Sequence, residues 1–299
     1  MDINRSNLTE LFELIELRYT AAFAQVERTV LDSLAMLLPS TTAVNRHAWL
    51  NQIPQVREWL GDRLVQNIES NVGTVTNKKF ESTIEMPRED IEDDQWGIYL
   101  PLADMMGANV AAHPDESLVD HLVANENWIG DTTSFFNDSR TYGSNTIDNT
   151  STTALDAAEF NTAYQTMTSY LGHNNQPLGV RPTFLLYGPA LRNTVFGILN
   201  NDFVAGGSVQ VQNVNKGLVT PIMSTRLVGT NANRWFLFGE VAGIKGLAWQ
   251  DRMQPEFQSS RTQLDSDFVF ETDKFQFGTR SRGAPFLTLP HLIWGGLVA

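Results

Sequence analysis

His47-Ala48-Trp49-Leu50, Pro54 and Arg57-Glu58-Trp59-Leu60-Gly61-Asp62-Arg63, led by Pro39-Ser40, form the stretch on which the reading of this chain turns. Phe80-Glu81, Arg88, Asp90-Ile91-Glu92-Asp93-Asp94, Gly97-Ile98-Tyr99, Pro101, His113-Pro114-Asp115 and Leu118-Val119 follow it in that order. Within it, Phe80 to Met86 alternate, with Phe80, Ile84 and Met86 on one face of a strand and Glu81, Thr83 and Glu85 on the other. Asn71-Val72-Gly73-Thr74 and Asn77-Lys78-Lys79 are turn-prone and polar, so Arg63 to Asp90 reads as an extended hairpin rather than core. Such a ribbon has one apolar face to cover.

Upstream, Leu8, Phe12, Ile15, Tyr19, Ala22, Val26, Val30, Leu34 and Leu37 recur at steps of three and four. Asn7 with Glu10 has capping-box spacing and Pro39 is a stop, which predicts one amphipathic helix of about 30 residues and about 45 Å. Two readings stay open: a long core helix, or an arm that packs on a neighbouring subunit. Downstream, Pro101 opens a helix through Leu102, Met105, Met106 and Val110. Pro114-Asp115-Glu116 supplies a second start for Leu118, Val119, Leu122 and Val123, giving one kinked helix or two short ones.

The polar tract from Asp131 to Thr153 is the clearest composition shift and the expected segment boundary. Beyond it, Ala154–Leu171 and Pro189–Leu199 read as helices around a buried strand, Thr183–Tyr187. Ser208–Val214, Arg234–Glu240 and Phe268–Phe277 read as strands.

The 299 residues carry 34 acidic and 21 basic side chains, a formal charge of -13. That is the wrong sign for a broad phosphate-gripping face, and it suits both solubility and a surface lying near DNA without sticking to it. With no cysteine, disulfides, thiolate metal sites and Cys nucleophiles are excluded. The start carries acids and no apolar leader, and Phe286 to Ala299 is too short and broken to span a bilayer, so a soluble, unexported protein is expected.

Few constellations suggest chemistry. Glu89, Asp90, Glu92, Asp93 and Asp94 lack the ligand spacing and central glycine of a calcium loop, and read as a solvated acidic turn or one facing a neighbour's basic patch. His113 and His121, with Asp115, Glu116 and Asp120 between them, stand about two helical turns apart, so a helix start with first-turn acids explains them better than a metal. There is no Gly-x-Ser-x-Gly, phosphate-loop or His-Glu-x-x-His motif. Trp235-Phe236-Leu237-Phe238 and Phe268, Phe270, Phe275 and Phe277 have few cations interleaved and read as sheet core, not as base-stacking platforms.

The ordered pattern from Pro39 to Val123 resembles the Mu-like major head subunit family, and so many ordered matches are not expected by chance. Arg181-Pro182-Thr183 and Gly188-Pro189-Ala190-Leu191 continue the resemblance more loosely. One departure stands out: where relatives tend to carry Asp-Gly before a paired-Phe segment and a histidine after it, this chain has Asp131-Thr132-Thr133-Ser134-Phe135-Phe136-Asn137, then Arg140.

The resemblance implies an α+β, HK97-type capsid fold and no enzymatic activity. It divides the chain into an N-terminal arm and helix (1–57), an extended loop (58–95), a peripheral domain with a spine helix (96–150), an axial domain (151–260) and peripheral return strands (261–299). The implied subunit assembles, without cofactor or metal, into hexamers and pentamers of an icosahedral head in the host cytoplasm. Its expected partners are a portal, a scaffold, possible decoration proteins and packaged double-stranded DNA held without sequence specificity, and no membrane. Lys78, Lys79, Phe80, Ile84, Glu89, Asp90, Glu92, Asp93 and Asp94 are the expected contacts between subunits. Some shells of this fold cross-link through a loop lysine and a neighbour's asparagine. No catalyst or asparagine for that is identifiable here, so Lys78 and Lys79 are expected to be solvated or ion-paired. A nanocompartment shell of the same fold, and a metal-dependent enzyme built on His113 to His121, are the alternatives.

Overall fold

The computed structural model describes residues 5–47, 73–93, 95–131, 133–142, 144–172, 175–206, 209–259 and 267–298. In chain order the elements begin with α1 (Arg5–Gln25), α2 (Thr29–Leu34), β1 (Ala35–Pro39), β2 (Val44–His47), β3 (Gly73–Thr76), β4 (Lys78–Pro87), α3 (Arg88–Glu92) and α4 (Leu100–Ala124). Next come β5 (Arg140–Tyr142), β6 (Asn145–Ile147), β7 (Thr150–Ser151), α5 (Ala157–Thr168), β8 (Arg181–Tyr187), α6 (Arg192–Leu199), β9 (Phe203–Gly206), β10 (Val209–Gln212) and β11 (Thr220–Met223). The chain closes with β12 (Trp235–Val241), β13 (Ile244–Lys245), β14 (Leu247–Ser259), α7 (Asp267–Thr272), β15 (Lys274–Leu287) and β16 (Ile293–Gly296).

Two sheets organise the molecule. The first has the order β1-β14-β15-β4, parallel between β1 and β14 and antiparallel elsewhere. The second has the order β11-β8-β12-β16-β7, with β13 pairing β12 off that path. Helices α1 and α4 cover the first sheet: Leu8, Phe12, Ile15, Met86, Ala103, Met106, Phe275 and Phe277 share one apolar cluster. In the second sheet Trp235 to Gly239 of the central strand β12 are buried in succession, as expected for a strand covered on both faces.

The expected 30-residue N-terminal helix is corrected to two helices and a strand. The Asp115 carboxylate of α4 accepts the Val30 and Leu31 N–H groups at 3.0 and 2.9 Å, which satisfies donors at the start of α2 and begins a second helix there. Ala35 to Pro39 then pair with Leu247 to Asp251, and sheet hydrogen bonds replace helical ones. The stripe on α1 is buried in its own chain, with Leu8, Phe12 and Ile15 at 0–1% exposure. The core-helix reading therefore describes the observed packing.

Helix α4 is single and carries Pro114 inside it; Asn125, in the left-handed region at φ 46°, closes it. It crosses α1 at Gly107, where a Cβ would lie 2.4 Å from the Tyr19 carbonyl oxygen. Gly107→Ala is therefore expected to cost about 1–3 kcal/mol through forced separation of the helices, read as a lower urea midpoint of the isolated subunit. An unchanged midpoint would mean the crossing is loose.

Three further expectations change. The Phe268–Phe277 segment is helix α7 up to Thr272 and strand only from Lys274. Strand β14, expected in the axial segment 151–260, lies in the first sheet. Strand β16, expected to return with 261–299 to the peripheral sheet, instead pairs β12, with Trp235 opposite Gly296. The polar tract from Asp131 to Thr153, read as a segment boundary, is itself packed. Phe135 and Phe136 are buried in it, and the fully buried Asn149 amide lies 3.2–3.3 Å from the carbonyls of Phe135, Pro290 and Ile293. In the turn that follows α4, the buried Arg140 pairs with Asp131, donates to the Ser134 and Phe135 carbonyls, and sits 5.2 Å over the Trp128 ring. That set of bonds closes the turn.

Candidate assembly surfaces

The expected contact residues divide between two ends of one ribbon. Along its length β4 pairs with β15, from Lys78 opposite Gly283 to Pro87 opposite Lys274. The expectation of a protruding two-stranded hairpin through Lys78 to Met86 is thereby corrected: this strand is the edge of the subunit's own sheet. Phe80 packs against its own core, 4.2 Å from the His113 ring and 6.4 Å from Trp249. Ile84 packs against the α1–α4 cluster. Neither is an open contact in the subunit. Lys78 and Lys79 are exposed.

Strands β2 and β3 form a separate short antiparallel pair on either side of residues 48–72. Its root is held by a dry polar network. Gln250, fully buried on β14, donates to Asn77 Oδ1 at 2.8 Å and lies 3.0 Å from His47 Nε2, and Asn77 donates to Ser40 Oγ at 2.8 Å. Burial without partners would make each of these groups costly. The quoted motif from Ala48 to Arg63 lies outside the described residues.

At the far end of β4, α3 carries the acidic residues. Glu89, Glu92 and Asp93 are exposed, while Asp90 is half-buried and accepts the Tyr99 hydroxyl. Burial, then this carboxylate, pushes the Tyr99 hydroxyl up to about 12. Glu92 pairs with Arg88 at 3.0 Å. Asp94 lies outside the described residues. Sequence reasoning overlooked the apolar surface beside these acids. Of the residues assigned to the apolar face of α4, Met106 is buried, yet Leu102 and Met105 are 40% and 60% exposed, Ile98 just ahead is 61% exposed, and Phe270 on α7 is 89% exposed. The 98, 102, 105 spacing was the available signal, since it defines a second apolar stripe beside the Ala103–Met106–Gly107 face.

The histidine-rich stretch of α4 is dispersed among structural partners. Asp115 caps α2; burial raises its carboxyl, opposed by the two backbone N–H groups. Asp120 receives Arg226 Nε and Nη2 at 2.8 and 2.7 Å, a bidentate pair joining α4 to the turn after β11. His121 sits 3.8 Å from Glu126. Burial lowers the affinity of both His113 and His121 for a proton. Among the described residues no three His, Asp or Glu side chains converge as a metal-ion site, and no helix is long and apolar enough to cross a membrane.

Comparison with known proteins agrees with this architecture. The family model of the Mu-like prophage major head subunit gpT matches residues 8–154, 141–227 and 220–296. The chain is 40% identical over 85 residues to the major capsid protein of Escherichia phage Mu, covering 28% of each chain. It is 26% identical over 269 residues to the Mu-like prophage FluMu major head subunit of Haemophilus influenzae, covering 89% of this chain and 66% of that one. Less than two thirds of either relative's length is thus spanned. Among solved structures, the bacteriophage JBD30 procapsid superposes with a TM-score of 0.57 at 26% identity over 98% of this chain and 75% of that chain. A virus-like particle from Pyrococcus furiosus gives 0.52 at 10% identity over 95% and 98% of the two chains, which shows the shared fold alone. With the family model running through both sheets, the chain belongs to the Mu-like prophage major head subunit family, a family of structural capsid proteins rather than enzymes.

Proposed function

We propose that this chain is a major capsid subunit that self-assembles into hexamers and pentamers of an icosahedral phage head around double-stranded DNA. The observation that carries the reading is the likeness to a phage procapsid subunit across 98% of the chain. In this reading the first sheet with α1 and α4 is the peripheral body. The second sheet with α5 and α6 is the axial body. Phe203, Val214 and Leu218, exposed by 57%, 81% and 39% near the C-terminal end of α6, suit burial around a capsomer axis. The subunit is built in the host cytoplasm and ends in the virion. A portal, a scaffold and possible decoration proteins complete the particle. The net charge of -13 suits a wall that holds DNA without sequence-specific grip. The phage reading is favoured over a nanocompartment because the family model of the Mu-like prophage major head subunit runs through both sheets and the likeness to a phage procapsid subunit holds at 26% identity.

Electron microscopy of the expressed chain, alone and with its scaffold, tests this. Closed shells with five- and six-fold capsomers are expected; a protein that remains monomeric in both settings would refute the reading.

A further inference from the structure

The β4–β15 ribbon carries opposite charge at its two ends. At one end, residues 88–93 and 267–274 hold seven carboxylates against Arg88 and Lys274. The two segments are one surface: Arg88 N–H donates to the Asp273 carbonyl at 3.0 Å, and Ile91, Tyr99 and Val269 share a core cluster. This is also where Ile98, Leu102, Met105 and Phe270 stand exposed. At the other end, Lys79 is the direct cross-strand neighbour of Arg282, Lys78 precedes it, and Arg280 faces Glu81. Like charges directly opposite on a sheet are unfavourable in an isolated subunit. No ion pair among the described residues takes up Lys78, Lys79 or Arg282. The ten residues of β4 separate the ends by about 30 Å, several times the Debye length of ~8 Å at physiological salt. The ends therefore do not neutralise each other within one subunit.

We propose that the apolar, acid-rimmed end of this ribbon receives the cationic end of the next copy of the chain, in a head-to-tail contact that closes into rings. This rests on the shell reading above and names one of its contacts. Acid meets cation wherever one end lies on the other; repeated around a five- or six-fold axis, as the shell reading requires, that contact is heterologous and closes into a ring. Ile98, Leu102, Met105 and Phe270 supply the apolar centre such a contact buries, and the charged residues form its rim.

Charge exchange in the full chain tests the contact, with urea unfolding of each free subunit checking that the substitutions, at exposed positions except for the half-buried Arg282, leave the fold intact. Glu89→Lys with Asp93→Lys, and separately Lys79→Glu with Arg282→Glu, should each reduce shell yield at least about tenfold at low salt, with a smaller deficit at high salt. Adding Glu271→Lys to the first pair leaves that end with fewer carboxylates than cations; combining this triple with Lys79→Glu and Arg282→Glu in one chain restores acid-to-cation matching, and closed shells should return. An equimolar mixture of the triple variant and the Lys79→Glu, Arg282→Glu variant should assemble only by alternation. That permits six-membered rings and forbids five-membered ones, so hexameric sheets or tubes are expected in place of closed shells. Ile98→Ser with Phe270→Ser should lower assembly equally at low and high salt. Normal shells from either double variant, or a five-substitution chain that folds yet fails to assemble, would overturn the contact while leaving the shell reading in place. A parent chain that forms no shells overturns both.

Discussion

Replacing Phe12 by alanine is expected to lower the unfolding free energy of the free subunit by about 3–5 kcal/mol, the usual cost of emptying a fully buried aromatic site. Phe12 is fully buried, with its ring centroid 6.1 Å from Phe275 and 6.4 Å from Phe277. It sits at the junction of α1 with the first sheet. Removing residues 1–38 entirely should be worse. The truncation takes away Leu8, Leu11, Ile15 and Tyr19 together with nearly all of β1, and it uncovers Met86, Phe275 and Phe277. Against a total stability of about 5–15 kcal/mol for an ordinary domain, such a loss leaves no cooperative fold. Urea titration of the point variant and near-ultraviolet circular dichroism of the truncated chain are the measurements. A truncated subunit with a native spectrum would return α1 to the role of an arm serving its neighbours.

The second large effect is acid sensitivity seated at His291. This side chain is fully buried, neither ring nitrogen has a hydrogen-bond partner, and the rings of Tyr142 and Tyr170 stand edge-on at 4.6 and 5.5 Å. Burial, and secondly the Arg140 guanidinium, push its pKa down to about 3. The other charged groups around it are Asp131, which pairs with Arg140, and Asp148, whose backbone carbonyl accepts the Tyr170 hydroxyl and whose carboxyl is raised by burial. The folded-state pKa lies below the unfolded value of 6.5, so between the two the unfolded chain binds the extra proton. Stability is therefore fully present above pH 6.5 and is lost at up to ~1.4 kcal/mol per pH unit as pH falls toward 3. His291→Phe removes this term. The stability difference between parent and variant, measured by urea unfolding from pH 7 to pH 4, should move in the variant's favour as pH falls. A difference constant with pH would show that His291 does not titrate in this window.

Much of the fold was legible because it is local. The alternation from Phe80 to Met86 gave β4, the apolar run Thr183 to Tyr187 gave most of β8, and Arg234 to Glu240 gave most of β12. Asp156, whose carboxylate accepts the Glu159 N–H at 2.8 Å, starts α5 close to where helical periodicity resumed. The ordered motif from Pro39 to Val123 identified the family before any geometry was known. The contact residues were legible only as residue types: Lys78, Lys79, Glu89, Glu92 and Asp93 are exposed, whereas Phe80 and Ile84, picked by the same alternation, turned inward.

The sequence by itself determined many of the helices and strands, though not the end of the N-terminal helix or the Phe268–Thr272 segment, together with the absence of thiol chemistry, the acidic balance and the family. Only the tertiary structure decided what each segment pairs with. Lys78–Pro87 finds its partner nearly 200 residues away in β15, Asp115 breaks the N-terminal helix from 84 residues beyond it, and β16 leaves the first sheet for the second. Periodicity states that a face is apolar; it does not state what covers that face. The covering surface is chosen by long-range packing and by the need to satisfy every buried backbone group, and those are properties of the folded chain as a whole.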